Sequence, residues 1–531
     1  MDLQSAIRVW QSILGAEQVI QGDGAGASYG IDASGIERRI PAALRITNGD
    51  TLPGIMQAAK LHQISVYPIS TGKNWGYGTS LPARDDCVLL DLSGMNKIIH
   101  FDSELGVVTL EPGVTQGMLA DFLEQGNHPF LVPVTGAGPT CSLIGNALER
   151  GYGVTPFVDH FGAVTDIEAV LADGSIYQTA LREAAGEDLA RLFKWGIGPY
   201  STGLFTQSGF GIVTRMSIIL ARRPECMKVC LFSLKNDALL EPAVERIRNI
   251  LAKLPGTVGA INLMNQHRVL AMSAPFPSDR LGPDGLIPAL VIKELGRQYQ
   301  IFAWTGFGTL YGTQRIVAAA QQEIRTELAG IASRLMFLSA GQASLLASAA
   351  GFIPGAMGKR LAGTLGTLAK SLELVGGRPN ETALPLCYWR NPNPPQGKTM
   401  DPSRDGCGLI WYAPLVPMRP AGVRAYVDMA TKVALKHGIE PLLTLTSISD
   451  KLFDSTVPLI FERKNPTAVK KATDCYDDLL DAGMQMGCFP YRVGVDTMAK
   501  LCKLQNKAVK FHTRLRQGID PENLLAPGRY Q

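Results

Sequence analysis

The sequence predicts an α+β protein of two domains, and three observations carry that reading. A chain of 531 residues with 46% hydrophobic residues holds enough apolar surface for more than one core. Short strand and helix patterns of mixed spacing fill the first part of the chain. After about residue 223 longer helical patterns take over, interleaved with strand runs. These shifts place a first domain at residues 1–222, a second at 223–489, and a C-terminal segment at 490–531 that returns to the first.

The N-terminal stretch MDLQSAIRVWQSILGAEQ reads as an amphipathic helix. Asp2, Arg8 and Glu17 interrupt the apolar run that an export signal requires, so the cytoplasm is the expected location, with the periplasm as the alternative. A helix over Thr51 to His62 precedes a strand in ISVYPIS, and further strands lie in CVLLDL and GVVTLEPG. In FGAVTDIEAVLADGSIYQT, Asp173 and Gly174 stand between alternating apolar runs, which is a hairpin signal. That block closes with GIVTRMSIILARRPE. In the second domain, ALLEPAVERIRNILAKL and GTQRIVAAAQQEIRTELAGIASRL read as helices. Leu335 to Gly358 carries no charge, but Gln342, Pro354 and Gly355 make it too weakly apolar for a bilayer span, and a buried or partner-facing helical segment is expected. Residues 390–406, RNPNPPQGKTMDPSRDG, form a long loop of the kind that is often functional.

Composition removes several function classes. The net charge of +4 comes from 51 basic and 47 acidic residues spread along the chain, without the basic stripe of a nucleic-acid binder. Nine cysteines at scattered spacing, with no Cys-x-x-Cys, read as reduced thiols rather than a disulfide framework, and Cys226 and Cys230 as structural thiols of a strand. GDGAGASYG, residues 22–30, loosely matches a dinucleotide fingerprint, but no helical pattern follows it and a glycine-rich turn is the better reading. There is no Walker loop and no set of histidines at metal spacing, so no metal is expected.

The most informative segment is PISTGKNWGYG, residues 68–78, directly after a strand. Its glycines let the backbone approach a ligand, Ser70, Thr71 and Asn74 add polar groups, and successive N–H groups in such a turn suit a pyrophosphate. By composition alone a plain glycine-rich loop is an equal reading.

The strand followed by GKNWGYG resembles the pyrophosphate loop of the vanillyl-alcohol oxidase and p-cresol methylhydroxylase family. The resemblance continues through VLLDLSGMNKI, VTLEPGVT, GNALERGYGVTPFVDHFG, GPYSTGLFTQSGFGIVT and the C-terminal NLLAPGRY. It implies the family's two-domain FAD-binding fold with an α+β cap, and FAD as cofactor. Carried over position by position, Pro68, Ile69, Ser70, Thr71, Gly72, Lys73, Asn74 and Trp75 would hold the pyrophosphate. Ser142, Gly145, Asn146 and Arg150 would line the isoalloxazine side, and Gly211, Ile212 and Val213 would border the cofactor through their backbone. Tyr77, Tyr491 and Arg492 match the family's phenolate-binding trio: two O–H donors and a guanidinium stabilise an oxyanion by charge-assisted hydrogen bonds. The implied reaction is dehydrogenation or hydroxylation of a para-substituted phenol, by hydride transfer to the flavin through a quinone methide.

Two departures bear on mechanism. The oxidase branch has a catalytic aspartate after a Val-Pro pair, whereas here Val132 and Pro133 are followed by Val134 and Thr135. Where that branch attaches FAD through a cap histidine, this chain has Leu409. The cytochrome-coupled branch attaches FAD through a cap tyrosine, for which Tyr388 in LCYWRNP is the candidate, with a core aromatic as the other reading and Cys141 and Cys387 as lesser attachment points. Glu381, Asp401, Asp405 and Asp454 lie in the cap where an acid/base could originate, and none is singled out. The resemblance further implies a homodimer and either oxygen or a cytochrome c as electron acceptor. An oxidase of a non-phenolic alcohol and a flavin-binding electron-transfer subunit are the competing functions.

Overall fold

The computed structural model describes every residue except 1, 353–354, 392–394, 396, 398 and 505. The first domain is built on two sheets. One has strands in the order Val19–Gln21, Ala42–Arg45, Val88–Asp91, Val66–Ile69, of which the last three run parallel. VLLD is buried along its whole length, as expected of a parallel strand covered on both faces. The N-terminal amphipathic helix, Leu3–Leu14, places Ala6, Ile7 and Trp10 against this sheet, and the Trp10 indole donates to the carbonyl of Ile55 on the helix Leu52–Leu61.

The second sheet is antiparallel, in the order Ile98–Asp102, Val107–Leu110, Ile212–Ile219, Val164–Val170, Ile176–Gln178. Asp173 and Gly174 sit in the turn between its last two strands, with Gly174 at φ +86°. Residues 22–30 differ from the expected turn: Asp23–Tyr29 is a short helix. Its glycines disfavour that state, but tertiary contacts override propensity, because Ala25 is buried and the Tyr29 hydroxyl donates to Asp91 at 2.7 Å.

The second domain is one large sheet backed by helices. Its order is Arg334–Leu338, Cys226–Leu234, Trp304–Gly312, Val258–Asn265, Thr444–Ser447, Leu452–Glu462, Pro414–Pro417, Phe489–Pro490, with Cys407–Tyr412 pairing Leu452–Glu462. The helices Leu240–Lys253, Gln314–Glu327, Pro420–Lys436 and Pro466–Gln485 present Ile247, Val317, Tyr426 and Leu479 to its core. The uncharged stretch from Leu335 begins as strand rather than helix, because it pairs with Cys226–Leu234. A helix then covers Ala340–Gly351, started by a capping box of Ser339 and Gln342, with Leu345 and Phe352 exposed. Among the described residues no helix is long and apolar enough to cross a membrane.

The C-terminal segment divides between the two domains. Val493, Val495, Met498 and Leu501 pack into the second domain's core. The last residues run beside the first sheet, where the Val66 N–H donates to the Leu524 carbonyl at 2.8 Å and the Ala526 N–H to the Val66 carbonyl at 2.7 Å. Asp520 fixes this return: buried, it accepts from the backbone N–H of Leu524 and Leu525 at 2.9 Å each and pairs with Arg516 at 2.9 Å. Asp520→Ala strips both backbone donors and leaves Arg516 short of a counter-charge. The expected cost is about 3 kcal/mol, read as a lower unfolding midpoint of the first domain in a thermal melt. An unchanged midpoint would mean that the return is held by other contacts.

Candidate active site

A cavity of about 540 Å³ opens where the two domains meet. The loop 68–78 forms one wall. Gly76 can approach the second domain only because it lacks a side chain: at φ +75°, a Cβ there would lie 2.5 Å from Trp411. The Trp411 N–H donates to the Gly76 carbonyl at 3.2 Å, and the Val495 N–H donates to the Tyr77 carbonyl at 3.1 Å, so the loop is stitched to the second domain by backbone bonds. The short helix Leu143–Leu148 closes on the same loop, where a Cβ on Gly145 would stand 2.4 Å from Ser70 Oγ and the Ser142 N–H donates to Thr71 Oγ1 at 3.1 Å. Lys73 reaches across to Asp401 at 2.6 Å, tying the loop to the 390–406 segment, which is described only in part.

Of the residues singled out from sequence, Pro68 through Trp75, Tyr77, Ser142, Gly145, Asn146, Gly211, Val213, Tyr491 and Arg492 all line this cavity. Three do not. Ile212 is buried in the first domain's core, on the opposite side of its strand. Arg150 bonds to Thr206 Oγ1 through Nε at 3.1 Å and Nη2 at 3.0 Å. Tyr388 donates its hydroxyl to Asp405 at 2.5 Å, so the tyrosine expected to carry FAD commits that oxygen to a cap carboxylate rather than to the cavity. Its neighbour Cys387 lines the cavity, as do Leu409 and Cys141.

The trio is assembled from both ends of the chain. The Arg492 guanidinium lies 4.5 Å above the Tyr77 ring, and its Nη2 donates to Asn74 of the loop. Tyr491 stacks edge-on against Tyr152 with ring centroids 5.1 Å apart. Burial acts most strongly on Arg492 and opposes its charge, but Glu149, 3.7 Å from its Nε, and the hydroxyls of Tyr491, Tyr77 and Tyr530 together outweigh it and raise the guanidinium's pKa. That spacing is an ion pair and not a hydrogen bond, and Nε has no hydrogen-bond partner among the described residues. Glu149 also pairs with Arg529, which in turn donates to the Tyr67 hydroxyl at 2.8 Å. Although burial favours the protonated form of Glu149, Arg529 and Arg492 hold its carboxyl below the usual range. Burial pushes the Tyr77 hydroxyl well above its ordinary pKa and that of Tyr491 upward too, so both remain O–H donors.

The four cap carboxylates now separate. Asp401 pairs with Lys73, Asp405 takes Tyr388 and Arg404, and Glu381 accepts the Met400 N–H at 2.9 Å. Asp454 lines the cavity beside the trio, and its charge acts on Tyr77 and Tyr491. Burial raises its pKa to about 7 against the pull of Arg492, and its Oδ1 has no partner among the described residues. A carboxylate inside the apolar strand Leu452–Glu462 was the available signal. Glu149 and Arg529 were not singled out from sequence either, and nothing in their spacing marks them as a pair.

The glycine cradle, the loop's polar lining and a cavity shared by both domains fit an extended FAD. Residues 41–180 match the FAD binding domain family. Over 530 residues the chain is 32% identical to the 1'-carboxy-chondrochloren decarboxylase of Chondromyces crocatus, covering 99% of this chain and 97% of that protein. It is 28% identical over 495 residues to the 4-cresol dehydrogenase [hydroxylating] flavoprotein subunit of Pseudomonas putida, covering 92% and 87%. The crystal structure of p-cresol methylhydroxylase with substrate bound superposes with a TM-score of 0.86 at 25% identity, covering 99% of this chain and 96% of that one. With cofactor loop, cap and full-length likeness in agreement, the chain belongs to the FAD-dependent p-cresol methylhydroxylase and vanillyl-alcohol oxidase family of oxidoreductases.

Proposed function

We propose that this enzyme oxidises a para-substituted phenol by removing hydride from the benzylic carbon. The observation that carries the reading is one cavity holding a fixed arginine charge, two tyrosine donors and a buried carboxylate whose Oδ1 has no partner among the described residues. Arg492 is held by Glu149 and Asn74 so that its guanidinium charge, with the Tyr77 and Tyr491 hydroxyls, can meet the phenol oxygen as that oxygen becomes an anion. Asp454, ionised, takes the phenol proton. FAD bound in the cavity supplies the two-electron acceptor for the hydride. The substrate is left as a quinone methide, water adds at the benzylic carbon and loses its surplus proton to solvent, and Asp454 returns a proton to the ring oxygen.

The full-length likeness to a decarboxylase favours a second reading on the same anchor, in which a carboxyl group on the side chain leaves as carbon dioxide and a proton takes its place on carbon. Anaerobic mixing separates the two. Flavin reduction by a 4-alkylphenol without carbon dioxide release supports dehydrogenation, and carbon dioxide release from a carboxylated phenol with no reduction by alkylphenols supports the second.

Arg492→Ala is expected to lower kcat/KM for flavin reduction at least about tenfold, since loss of a charge-assisted hydrogen bond costs about 1.5–3 kcal/mol. Tyr77→Phe and Tyr491→Phe each remove a neutral donor and should cost less. A wild-type reduction rate in Arg492→Ala, at full FAD content, would end the phenolate assignment.

The pH dependence follows from Asp454. A base must be ionised, so the rate of flavin reduction should rise with pH through about 7 and level off above it. Asp454→Asn should be slow and lose that limb. The same rise in the variant would assign the ionisation to another group.

A further inference from the structure

Besides Arg492 and Arg529, the cavity is lined by a third arginine, which the proposed reaction leaves idle. Arg268 opens the helix Gln266–Ser273, and the Asn265 side chain fixes its backbone by accepting the Arg268 N–H at 2.9 Å and the Leu443 N–H at 3.1 Å. The side chain lines the cavity, with its guanidinium 5.8 Å from the Trp411 ring. Its Nε and Nη1 are enclosed and have no hydrogen-bond partner among the described residues. The ionisable neighbour acting on it is the Cys387 thiol, which burial pushes up to about 12 and therefore leaves neutral. An enclosed guanidinium without an anion is costly to keep, and burial lowers its pKa to about 10.

The sheet relates Arg268 to the phenol end. Three adjacent strands place Asn262, Thr446 and Asp454 in one cross-strand row and Met264, Thr444 and Thr456 in the next, and all six line the cavity. The rows are two residues apart, about 7 Å. Arg268 follows Met264 in the chain, beyond the second row, so the floor runs from Asp454 across Thr444 towards Arg268. Asn262 Oδ1 and Thr444 Oγ1 on that floor also lack partners among the described residues.

We propose that Arg268 anchors a carboxylate on the para side chain of the substrate, so that the cavity takes an aromatic acid held at both ends. The phenol end rests on the reading above, whereas the carboxylate end rests on Arg268 alone. A carboxylate is the matching partner because two parallel N–H donors of a guanidinium meet its two oxygens.

The test uses dithionite-reduced holoenzyme, which cannot turn over by hydride transfer, in anaerobic calorimetric titrations. The probes are 4-hydroxyphenyl acids with one to four carbons between ring and carboxyl, their primary carboxamides, and the same pairs without the ring hydroxyl. Wild type should bind the best-fitting acid at least about tenfold more tightly than its amide, with or without the hydroxyl. Arg268→Met should abolish that preference while amide binding and FAD content stay unchanged, and Arg268→Lys should restore part of it. No preference in wild type, a preference that survives in Arg268→Met, or loss of FAD in place of loss of preference would overturn the proposal. Equal binding of hydroxylated and hydroxyl-free acids with the carboxylate preference intact would sink the phenol reading and leave Arg268 as the carboxylate anchor.

Discussion

The site depends on one carboxylate placed between two arginines. Glu149, at the end of the short helix that closes on the loop 68–78, pairs with both Arg492 and Arg529. Without it, two guanidiniums from the C-terminal segment would be enclosed together at the domain boundary, each opposing the other's burial. With it, Arg529 reaches the Tyr67 hydroxyl and the Ser208 carbonyl while Arg492 reaches Asn74 and lies over Tyr77. The cluster thereby sets the register between the first domain's loop and the chain that leaves the second domain. A buried ion network of this kind contributes position more than net stability, because desolvation consumes much of its Coulombic gain.

A contrast runs through the cavity between charges that are satisfied and charges that are not. Lys73 with Asp401, and Arg529 with Glu149, are closed pairs that hold elements together. Among the described residues, Asp454 keeps an oxygen without a partner, and Arg268 keeps two enclosed nitrogens without one. Buried polar groups are usually paired, and those left open at a cavity wall are the ones a ligand can complete. In the proposed chemistry Asp454 receives a proton and Arg268 receives an anion, while Arg492 acts through a charge that Glu149 has already fixed in place.

The loop 68–78 is legible as a ligand-facing wall because its requirements are local: a strand, glycines at the positions of close approach, and polar side chains between them. Tyr77, Tyr491 and Arg492 came from family resemblance, since no spacing rule joins residue 77 to residue 492. Asp454 could not be chosen among four carboxylates, because its place beside Tyr77 depends on the pairing of Leu452–Glu462 with two other strands. Arg268 was invisible for the same reason. The glycines of residues 22–30 predict a turn where Asp23–Tyr29 is helical, and the Tyr29 contact to Asp91 that supports the helix spans 62 residues. Tyr388 lies in the expected segment, but its hydroxyl direction is set by Asp405, which local sequence does not specify.

In the proposed chemistry the Arg492 trio binds the phenol as its anion. Ultraviolet difference spectroscopy at neutral pH, with a para-substituted phenol lacking a benzylic hydrogen bound to the oxidised holoenzyme, tests it most directly. The red-shifted phenolate band is expected at a pH where the free ligand is neutral, and its disappearance is expected in Arg492→Ala. A bound ligand that keeps its neutral phenol spectrum in wild type would contradict it.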